Sequence, residues 1–139
     1  MIVLDTNVLS EVLRPSPSDL VLNWLAAQQP SEVFLTAITQ AELLYGVELL
    51  PASKRRLQLH AAIEQLLRDE FRARILPFDE ESARAFPKIV SGREKMGRRI
   101  SQFDAMIAAI CQARRAVLAT RNVRDFEHCE VQVVNPWGE

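Results

Sequence analysis

The sequence predicts a three-layer α/β protein, in which helices flank a mainly parallel sheet of four to five strands. Two observations predict this class. Short apolar runs, such as MIVL at the start, recur along the chain, and segments with helical apolar spacing separate them. Parallel strands need long crossovers of this kind, which are usually helices. The length of 139 residues matches one domain, so we expect a single domain over 1–139.

The first half of the chain predicts two strands and four helices. Asn7 is the expected cap of the first helix and Ser18 of the second, because their side chains accept hydrogen bonds from free helical N–H groups. The expected strands are 2–5 and 32–35, and the expected helices are 7–14, 18–28, 53–71 and one from 37 that Pro51 ends.

The second half predicts three short strands and two helices. Asp79 is the expected cap of a helix that Gly97 closes, and Pro87 is expected to kink that helix or split it in two. Ser101 opens the other helix, which runs to about Arg115. The expected strands are 74–76, 116–120 and 131–134.

The composition is that of an ordinary globular protein, with 48% hydrophobic and 25% charged residues. The formal net charge of −1 predicts no global attraction to nucleic acid, so such a partner would need a local basic patch. No apolar run approaches the roughly 20 residues that span a bilayer. Cys111 and Cys129 have no metal-binding spacing. We therefore expect a cytoplasmic protein without a membrane segment.

Acidic residues occur where the pattern predicts burial. Asp5 directly follows the first apolar strand, Glu42 lies in a helix that is apolar nearly all round, and Asp104 opens another such helix. Because strand ends and helix starts of a parallel sheet share one rim, we expect the three to meet there. Carboxylates at close range repel, and a hard cation such as Mg²⁺ or Mn²⁺ relieves the repulsion. The acids therefore predict a divalent-metal site for phosphoryl chemistry.

Each polar residue also has a structural interpretation. Glu42 fits a capping box that begins at Thr39. Asp104 lies in a first helical turn, where the helix dipole favours a carboxylate. Asn122 and Asp125 follow a strand at its carboxyl end, where turn chemistry alone favours both residues. Several acids are expected at the same edge of the sheet, and this coincidence favours a metal site over the separate structural interpretations.

A basic stretch over 88–99 is a candidate nucleic-acid contact. It holds five cations against one acid, Glu94. A solvated helix face and turn is one interpretation of this stretch, and contact with an RNA backbone is the other. The candidate RNA-binding residues are Lys95, Arg98, Arg99 and, outside the stretch, Arg121.

The segments MIVLDTNVLSE, LTAITQAELLYGVELLP, RILPFDEE, GRRISQFDAMIAAI, LATRNVRDFE and VVNPW span nearly the whole chain. In this order they resemble PIN-domain ribonucleases, in particular the FitB-like branch of the VapC-type toxins of bacterial toxin–antitoxin pairs. The resemblance implies a PIN fold and a divalent-metal-dependent endoribonuclease. Asp5, Glu42 and Asp104 match the family's invariant acids, which would hold Mg²⁺, and Thr6 and Ser101 match small polar positions beside the metal.

The resemblance also implies how the protein works and with which partners. A metal-bound water would hydrolyse RNA and leave a 5′-phosphate and a 3′-hydroxyl. Many relatives have Asp where this chain has Asn122, so either Asn122 or Asp125 is the expected fourth site residue. The implied partners are a second copy of the chain and a DNA-binding, VapB- or FitA-like antitoxin, in a heterotetramer or larger assembly. The antitoxin tail would occupy a groove between the early helices.

Two other function classes fit less of the sequence. A phosphohydrolase with an aspartate nucleophile also places Asp after the first strand, but it needs a second Asp two residues later, where Asn7 stands. A non-catalytic PIN-like module that only binds an antitoxin is the alternative, because Asn122 replaces an acid of many relatives.

Overall fold

The computed structural model describes residues 1–138, and within them five strands form a single sheet in the order β3-β2-β1-β4-β5. The strands, all paired in parallel, are β1 Ile2–Leu4, β2 Val33–Thr36, β3 Ile75–Leu76, β4 Val117–Ala119 and β5 Val133–Val134. From β1 the chain builds β2 and β3 on one side, and it later places β4 and β5 on the other. Functional sites in open parallel sheets lie beyond the strand ends at such a reversal, here between β1 and β4.

Six α-helices flank the sheet in this part of the chain. They are α1 Thr6–Val12, α2 Asp19–Ala26, α3 Ala37–Glu48, α4 Lys54–Gln65, α5 Glu80–Lys95 and α6 Gln102–Arg114. Two short 3-10 helices, Pro30–Glu32 and Val123–Phe126, complete the chain path. None of the helices described is long and apolar enough to cross a membrane.

Alternate positions of the strands fill two separate cores. Val3 and Leu118 belong to the core that includes α5 and α6, whereas Leu4 and Leu35 belong to the core that includes α1 to α4. This division arises because successive side chains of a strand point to opposite faces of the sheet. Both faces are buried, which explains why the strands appear in the sequence as continuous apolar runs. The prediction of a three-layer α/β protein is confirmed.

Two expected helix caps and one alternative interpretation need correction. Ser18 begins α2, but its side chain accepts no cap hydrogen bond. Asp5, not Asn7, caps α1, and its Oδ1 accepts a hydrogen bond from the Thr6 N–H at 2.9 Å. Thr36 caps α3 by accepting from the Thr39 N–H at 3.1 Å, so Glu42 does not belong to a capping box. At α1 and at α3 the strand runs directly into the helix, and the residue at the junction takes the cap.

Two predictions about the long helices also need correction, and a third is confirmed. The α-helical part of the predicted helix 53–71 ends at Gln65, where a π-helical turn Leu66–Glu70 continues it. Pro87 lies inside α5 without splitting it. Pro87 is exposed, so water can bind the carbonyl that the proline leaves without a donor. Gly97 follows the end of α5 with φ +71°, as its predicted closing role requires.

Helix α3 is not buried all round, contrary to prediction. Leu43 and Val47 lie in the core, but Tyr45 and Leu49 are 61% and 66% exposed, and Ala41 is exposed as well. These three residues recur at helical spacing, so they form one line along the helix. We call this line the α3 stripe.

Candidate metal centre

Asp5, Glu42 and Asp104 line one open pocket of about 470 Å³, which we call the acid pocket. Asp5 lies between β1 and α1, Glu42 lies in α3, and Asp104 lies in the first turn of α6. The fold thus brings together three acids that are far apart in the chain. The other residues that line the acid pocket are Thr6, Asn7, Ser10, Glu11, Arg14, Arg121, Asn122 and Trp137.

Asp5 is a buried carboxylate whose hydrogen-bond donors are all neutral. It is 4% exposed, and its Oδ2 accepts from the Thr120 hydroxyl at 2.7 Å, while its Oδ1 serves the α1 cap. Burial raises the pKa of Asp5, the two hydrogen bonds lower it, and the charges of Glu42 and Asp125 raise it further. No lysine or arginine of residues 1–138 forms an ion pair with Asp5, so no cationic side chain compensates its negative charge.

Glu42 is oriented by a pair of threonines. Its Oε1 accepts from the Thr6 hydroxyl at 2.8 Å, and the Thr39 hydroxyl lies 3.0 Å from that of Thr6. Since Thr6 has one hydroxyl proton, which goes to Glu42, the Thr39 hydroxyl donates to Thr6. Burial raises the pKa of Glu42, and the charge of Asp104 adds to this effect.

Asp104 has the most strongly perturbed carboxyl of the three. Burial, followed by the charges of Asp5 and Asp125, raises the pKa of Asp104 to about 6. Ser101 caps α6 as predicted, and its hydroxyl accepts from the Asp104 N–H at 3.1 Å. The Ser101 hydroxyl also acts on the Asp104 carboxyl as a side-chain hydrogen-bond partner, and this interaction and the charge of Arg93 counteract part of the rise in pKa.

The two candidates for a fourth site residue lie in different places. Asn122 lines the acid pocket, and its N–H donates to the Thr120 hydroxyl at 3.1 Å. Asp125 is exposed in the 3-10 helix Val123–Phe126, but its charge is close enough to raise the pKa of both Asp5 and Asp104.

Arg121 is the one predicted RNA-binding residue that lines the acid pocket. Its guanidinium lies over the Trp137 ring, 5.0 Å from the ring centroid. Arg98 forms an ion pair with Glu127 at 2.7 Å. Lys95 and Arg99 are exposed, outside the lining of the pocket.

Arg93 is a buried cation that the charge pattern did not reveal. It is 5% exposed, and its guanidinium donates to the carbonyls of Arg98, Asp125 and Glu127 at 2.7, 2.7 and 3.0 Å. Both interpretations of the basic stretch, as a solvated face or as an RNA contact, are therefore wrong for this residue. Through these hydrogen bonds Arg93 holds residues 122–129 beside the acid pocket. We call residues 122–129 the Arg93 loop.

Sequence reasoning also missed Glu11 as a buried acid of the pocket. Its Oε2 accepts from the Ser18 N–H at 2.9 Å, and Arg14 lies 3.4 Å from its Oε1. Its apolar surroundings in VLSEVL were the available signal, since an acid among valines and leucines on a predicted core helix is unusual. Trp137 gave no such signal, because a tryptophan near a terminus commonly serves packing alone.

The donors of the acid pocket suit a hard divalent cation. Carboxylates with raised pKa values and no cationic ion-pair partner in residues 1–138 gain from a bound Mg²⁺ or Mn²⁺, which takes oxygen ligands. Within the same residues, however, no group of three or more His, Cys, Asp or Glu side chains is arranged closely enough to hold a metal ion by itself. Mg²⁺ does not need one, since it keeps several waters and is usually bound by one or two carboxylates with substrate phosphates. The residues present therefore fit an open site.

A parallel sheet with carboxylates beyond the strand ends, where the strand order reverses between β1 and β4, is typical of a known class of protein domain. The model of the PIN domain matches residues 2–131, and the chain belongs to the PIN-domain family. It is 43% identical over 139 residues to toxin FitB of Neisseria gonorrhoeae, and the match covers 100% of both chains. It is 37% identical over 137 residues to the VapC ribonuclease Y4jK of Sinorhizobium fredii, with 99% and 98% covered.

A solved structure of FitAB bound to an IR36 DNA fragment contains a chain with a closely similar fold. The TM-score is 0.93 at 42% sequence identity, and the match covers 100% of this chain and 97% of that chain. The similarity therefore extends over the whole sheet and every helix around the acid pocket.

Proposed function

We propose that the chain is a Mg²⁺-dependent endoribonuclease, the toxin of a type II toxin–antitoxin pair, with Mn²⁺ able to replace Mg²⁺. Membership of the PIN-domain family and whole-length similarity to a VapC ribonuclease support this proposal. The observation that carries it is the acid pocket, in which three carboxylates with raised pKa values meet without a cationic ion-pair partner in residues 1–138. We also propose that the protein acts in the cytoplasm, where an RNA substrate would be available.

In this mechanism the chain's own residues hold and orient the acids. Asp5 and Asp104 would be the principal metal ligands, and Glu42 would complete the set directly or through a water. A bound divalent cation supplies an activated water and stabilises charge on the phosphoryl oxygens. Thr6 fixes the Glu42 carboxylate, and Ser101 fixes the backbone of Asp104. Hydrolysis would leave a 5′-phosphate and a 3′-hydroxyl.

The fourth site position falls to Asn122 or to Asp125. Asn122 lines the acid pocket, which favours a direct role, whereas the Asp125 charge acts on Asp5 and Asp104 from the neighbouring 3-10 helix. Asn122→Ala and Asp125→Asn separate the two, because only the variant that removes the fourth site residue should lower cleavage and Mg²⁺ affinity together.

The cations around the pocket would bind the RNA backbone. Arg121 lines the pocket, Lys95 and Arg99 are exposed, and Arg98 forms an ion pair with Glu127. Each phosphate contact releases counterions, so RNA binding should weaken steeply with salt.

Cleavage of structured RNA by purified, antitoxin-free protein tests the proposed function. Asp5→Asn and Asp104→Asn should each lower Mg²⁺-dependent cleavage by at least about 100-fold, because each removes a charge that would bind the cation. Asp69→Asn, at an exposed acid of the π-helical turn, is the matched control and should cleave normally. Intact RNA under every metal condition, with antitoxin binding retained, would favour the non-catalytic PIN-like module instead.

A groove beside the acid pocket supports an antitoxin partner. The cavity of about 660 Å³ is lined by residues of α1, α3 and α4, and its apolar members include Leu13, Leu43, Val47, Leu59 and Ile63. Thr6, Ser10, Arg14 and Glu42 line both the groove and the acid pocket. An apolar antitoxin tail that fills the groove would therefore reach the acids, where a basic side chain would neutralise them.

Two leucines of α4 give a matched test of this groove. Leu59 lines it, whereas Leu57 is 73% exposed and lies outside it. Leu59→Asp should abolish antitoxin binding and the inhibition of cleavage, and Leu57→Asp should change neither. Equal antitoxin affinity of both variants would place the partner elsewhere.

The α3 stripe supports a homodimer, which with antitoxin would form a heterotetramer or larger assembly. Exposed apolar side chains in a continuous line are typical of a surface that another protein covers. Tyr45→Lys should convert the dimer to a monomer in light-scattering measurements. A wild-type mass equal to one chain at micromolar concentration would contradict the dimer.

A further inference from the structure

Arg121 and Trp137 form a stacked pair at the rim of the acid pocket. The guanidinium carbon of Arg121 lies 5.0 Å from the Trp137 ring centroid, and both residues line the pocket. They follow the neighbouring strands β4 and β5. We propose that this pair is a stacking platform for an unpaired nucleobase next to the phosphodiester that the acid pocket cleaves. The proposal rests on the proposed function, since it takes RNA as the substrate.

A chain of hydrogen bonds through the side chains of Asn7 and Thr120 connects the backbone of Arg121 to Asp5. The Arg121 N–H donates to Asn7 Oδ1 at 3.3 Å, and Asn7 Nδ2 donates to the Thr120 hydroxyl at 3.0 Å. Thr120 in turn donates to Asp5. The backbone from which the Arg121 side chain extends is therefore fixed relative to the Asp5 carboxylate.

Trp137 is anchored in its own way. Its N–H donates to Asn135 Oδ1 at 2.9 Å, and the intervening Pro136 is buried. The indole packs partly against the core beneath α1 to α4, and its remaining surface faces the acid pocket. A ring that is held in this way loses little conformational freedom when a base stacks on the pair.

The charge of Arg121 is available to an anion. No carboxylate of residues 1–138 forms an ion pair with Arg121, whereas Arg14, which also lines the acid pocket, lies 3.4 Å from Glu11. A pocket with three carboxylates repels the phosphates of RNA, so a cation at its rim helps to bring the backbone close. The guanidinium would contact a phosphate with its N–H groups and a base with its plane.

These properties select a class of substrate. Aromatic rings and guanidinium planes stack on bases of any identity, but a base within a duplex is already stacked on its neighbours. The platform therefore favours RNA with an unpaired nucleotide at the cleavage site, such as a loop or a single strand, and tolerates different bases there.

Oligoadenylate and an abasic oligomer of the same length test the platform. Both carry the same phosphates, so any difference in their binding reports on the bases. We would measure both affinities by fluorescence anisotropy with the Asp104→Asn protein in Mg²⁺, which avoids cleavage. Oligoadenylate should bind about tenfold more tightly than the abasic oligomer, and an added Trp137→Ala should remove most of this difference by weakening oligoadenylate alone.

Two further variants separate stacking from charge and from folding. Arg121→Lys keeps the charge but loses the plane, so it should weaken oligoadenylate several-fold and leave the abasic oligomer unchanged. Trp24→Ala removes the other tryptophan, which lies in α2 outside the acid pocket, and should alter neither affinity. If Trp137→Ala fails to melt cooperatively, the Arg121→Lys measurement decides.

Equal losses for both probes in Arg121→Lys or in a folded Trp137→Ala would overturn the platform, as would no loss at all. Weakened antitoxin binding with unchanged oligoadenylate binding would assign the pair to the protein partner, which also overturns it. These outcomes are read from binding, so they are distinct from failure of the proposed function, which is a wild-type protein that cleaves no RNA.

Discussion

The acid pocket and the surroundings of Arg93 both contain buried charge, but the protein compensates the charge in only one of these two regions. The Arg93 guanidinium donates to three backbone carbonyls of its surroundings. The Asp5 carboxylate accepts from neutral donors, and the charges that act on it are those of Glu42 and Asp125, which raise its pKa. The Arg93 charge is compensated by the backbone carbonyls of the protein itself. The Asp5 charge has no cationic partner in residues 1–138, so a bound ligand would have to compensate it.

This difference separates a structural charge from a functional one. A buried ion whose hydrogen bonds are complete stabilises one conformation of the chain. Buried ions of one sign that cluster without a counter-ion destabilise the metal-free protein, and such clusters occur where a ligand is bound. Replacement of the two kinds of residue should therefore change stability in opposite directions.

The largest expected effect is at Arg93. Arg93→Met should lower the free energy of unfolding by about 3 kcal/mol, because it leaves the carbonyls of Arg98, Asp125 and Glu127 without their donor. Urea denaturation measures this change. Arg99→Met, at an exposed position of the same stretch, is the control and should stay within about 0.5 kcal/mol of wild type. Equal effects of the two variants would show that the buried guanidinium is not structural.

A change of opposite sign is expected at Asp104. Asp104→Asn should raise the free energy of unfolding of the metal-free protein at pH 7 by on the order of 1–2 kcal/mol, after allowance for its partial exposure. Folding raises the pKa of this carboxyl from 3.8 to about 6, so its ionisation costs stability.

The pH dependence gives the control for this prediction. The cost of ionisation is absent below pH 3.8, grows as the pH rises towards 6, and is complete above that value. Wild type and Asp104→Asn should therefore be equally stable at about pH 3.5 in chelator and diverge at neutral pH. A variant that is less stable than wild type at both pH values would contradict the account.

The smallest expected effect compares two serines at helix starts. Ser101→Ala should lower the free energy of unfolding by about 1 kcal/mol, because its hydroxyl caps α6 beside Asp104. Ser18 begins α2 without a side-chain cap hydrogen bond, so Ser18→Ala should have almost no effect. Chemical denaturation of both variants measures the difference. If they were equally destabilised, the Ser101 cap would not help to position the acid pocket.

The sequence was sufficient to predict the sheet and that Asp5, Glu42 and Asp104 line one pocket, whereas their role as metal ligands stays a prediction. Both follow from one rule, that parallel strands are buried on both faces and end at a common rim. Asp5 and Asp104 are recognisable because each interrupts or opens an apolar run. The resemblance to PIN-domain ribonucleases rests on these same segments, and the family match confirmed it.

The errors came from residues whose role depends on tertiary contacts. Arg93 lies among charged neighbours, so its burial becomes visible only when the Arg93 loop packs over it. Tyr45 and Leu49 are apolar and were expected in the core, but the α3 stripe faces away from the sheet. Trp137 approaches Arg121 only because β4 and β5 are neighbours in the sheet. The periodicity of apolar residues predicts the secondary structure of a segment, but it does not predict which other segments pack against it.

Mn²⁺ binding tests most directly the claim that the acids share a divalent cation. Electron paramagnetic resonance of free Mn²⁺ gives the affinity without any RNA or cleavage. We expect wild type to bind a Mn²⁺ ion, and Asp5→Asn and Asp104→Asn to weaken that binding at least about tenfold, while Asp69→Asn leaves it unchanged. The same Mn²⁺ affinity in wild type and in both acid-pocket variants would contradict a shared metal centre.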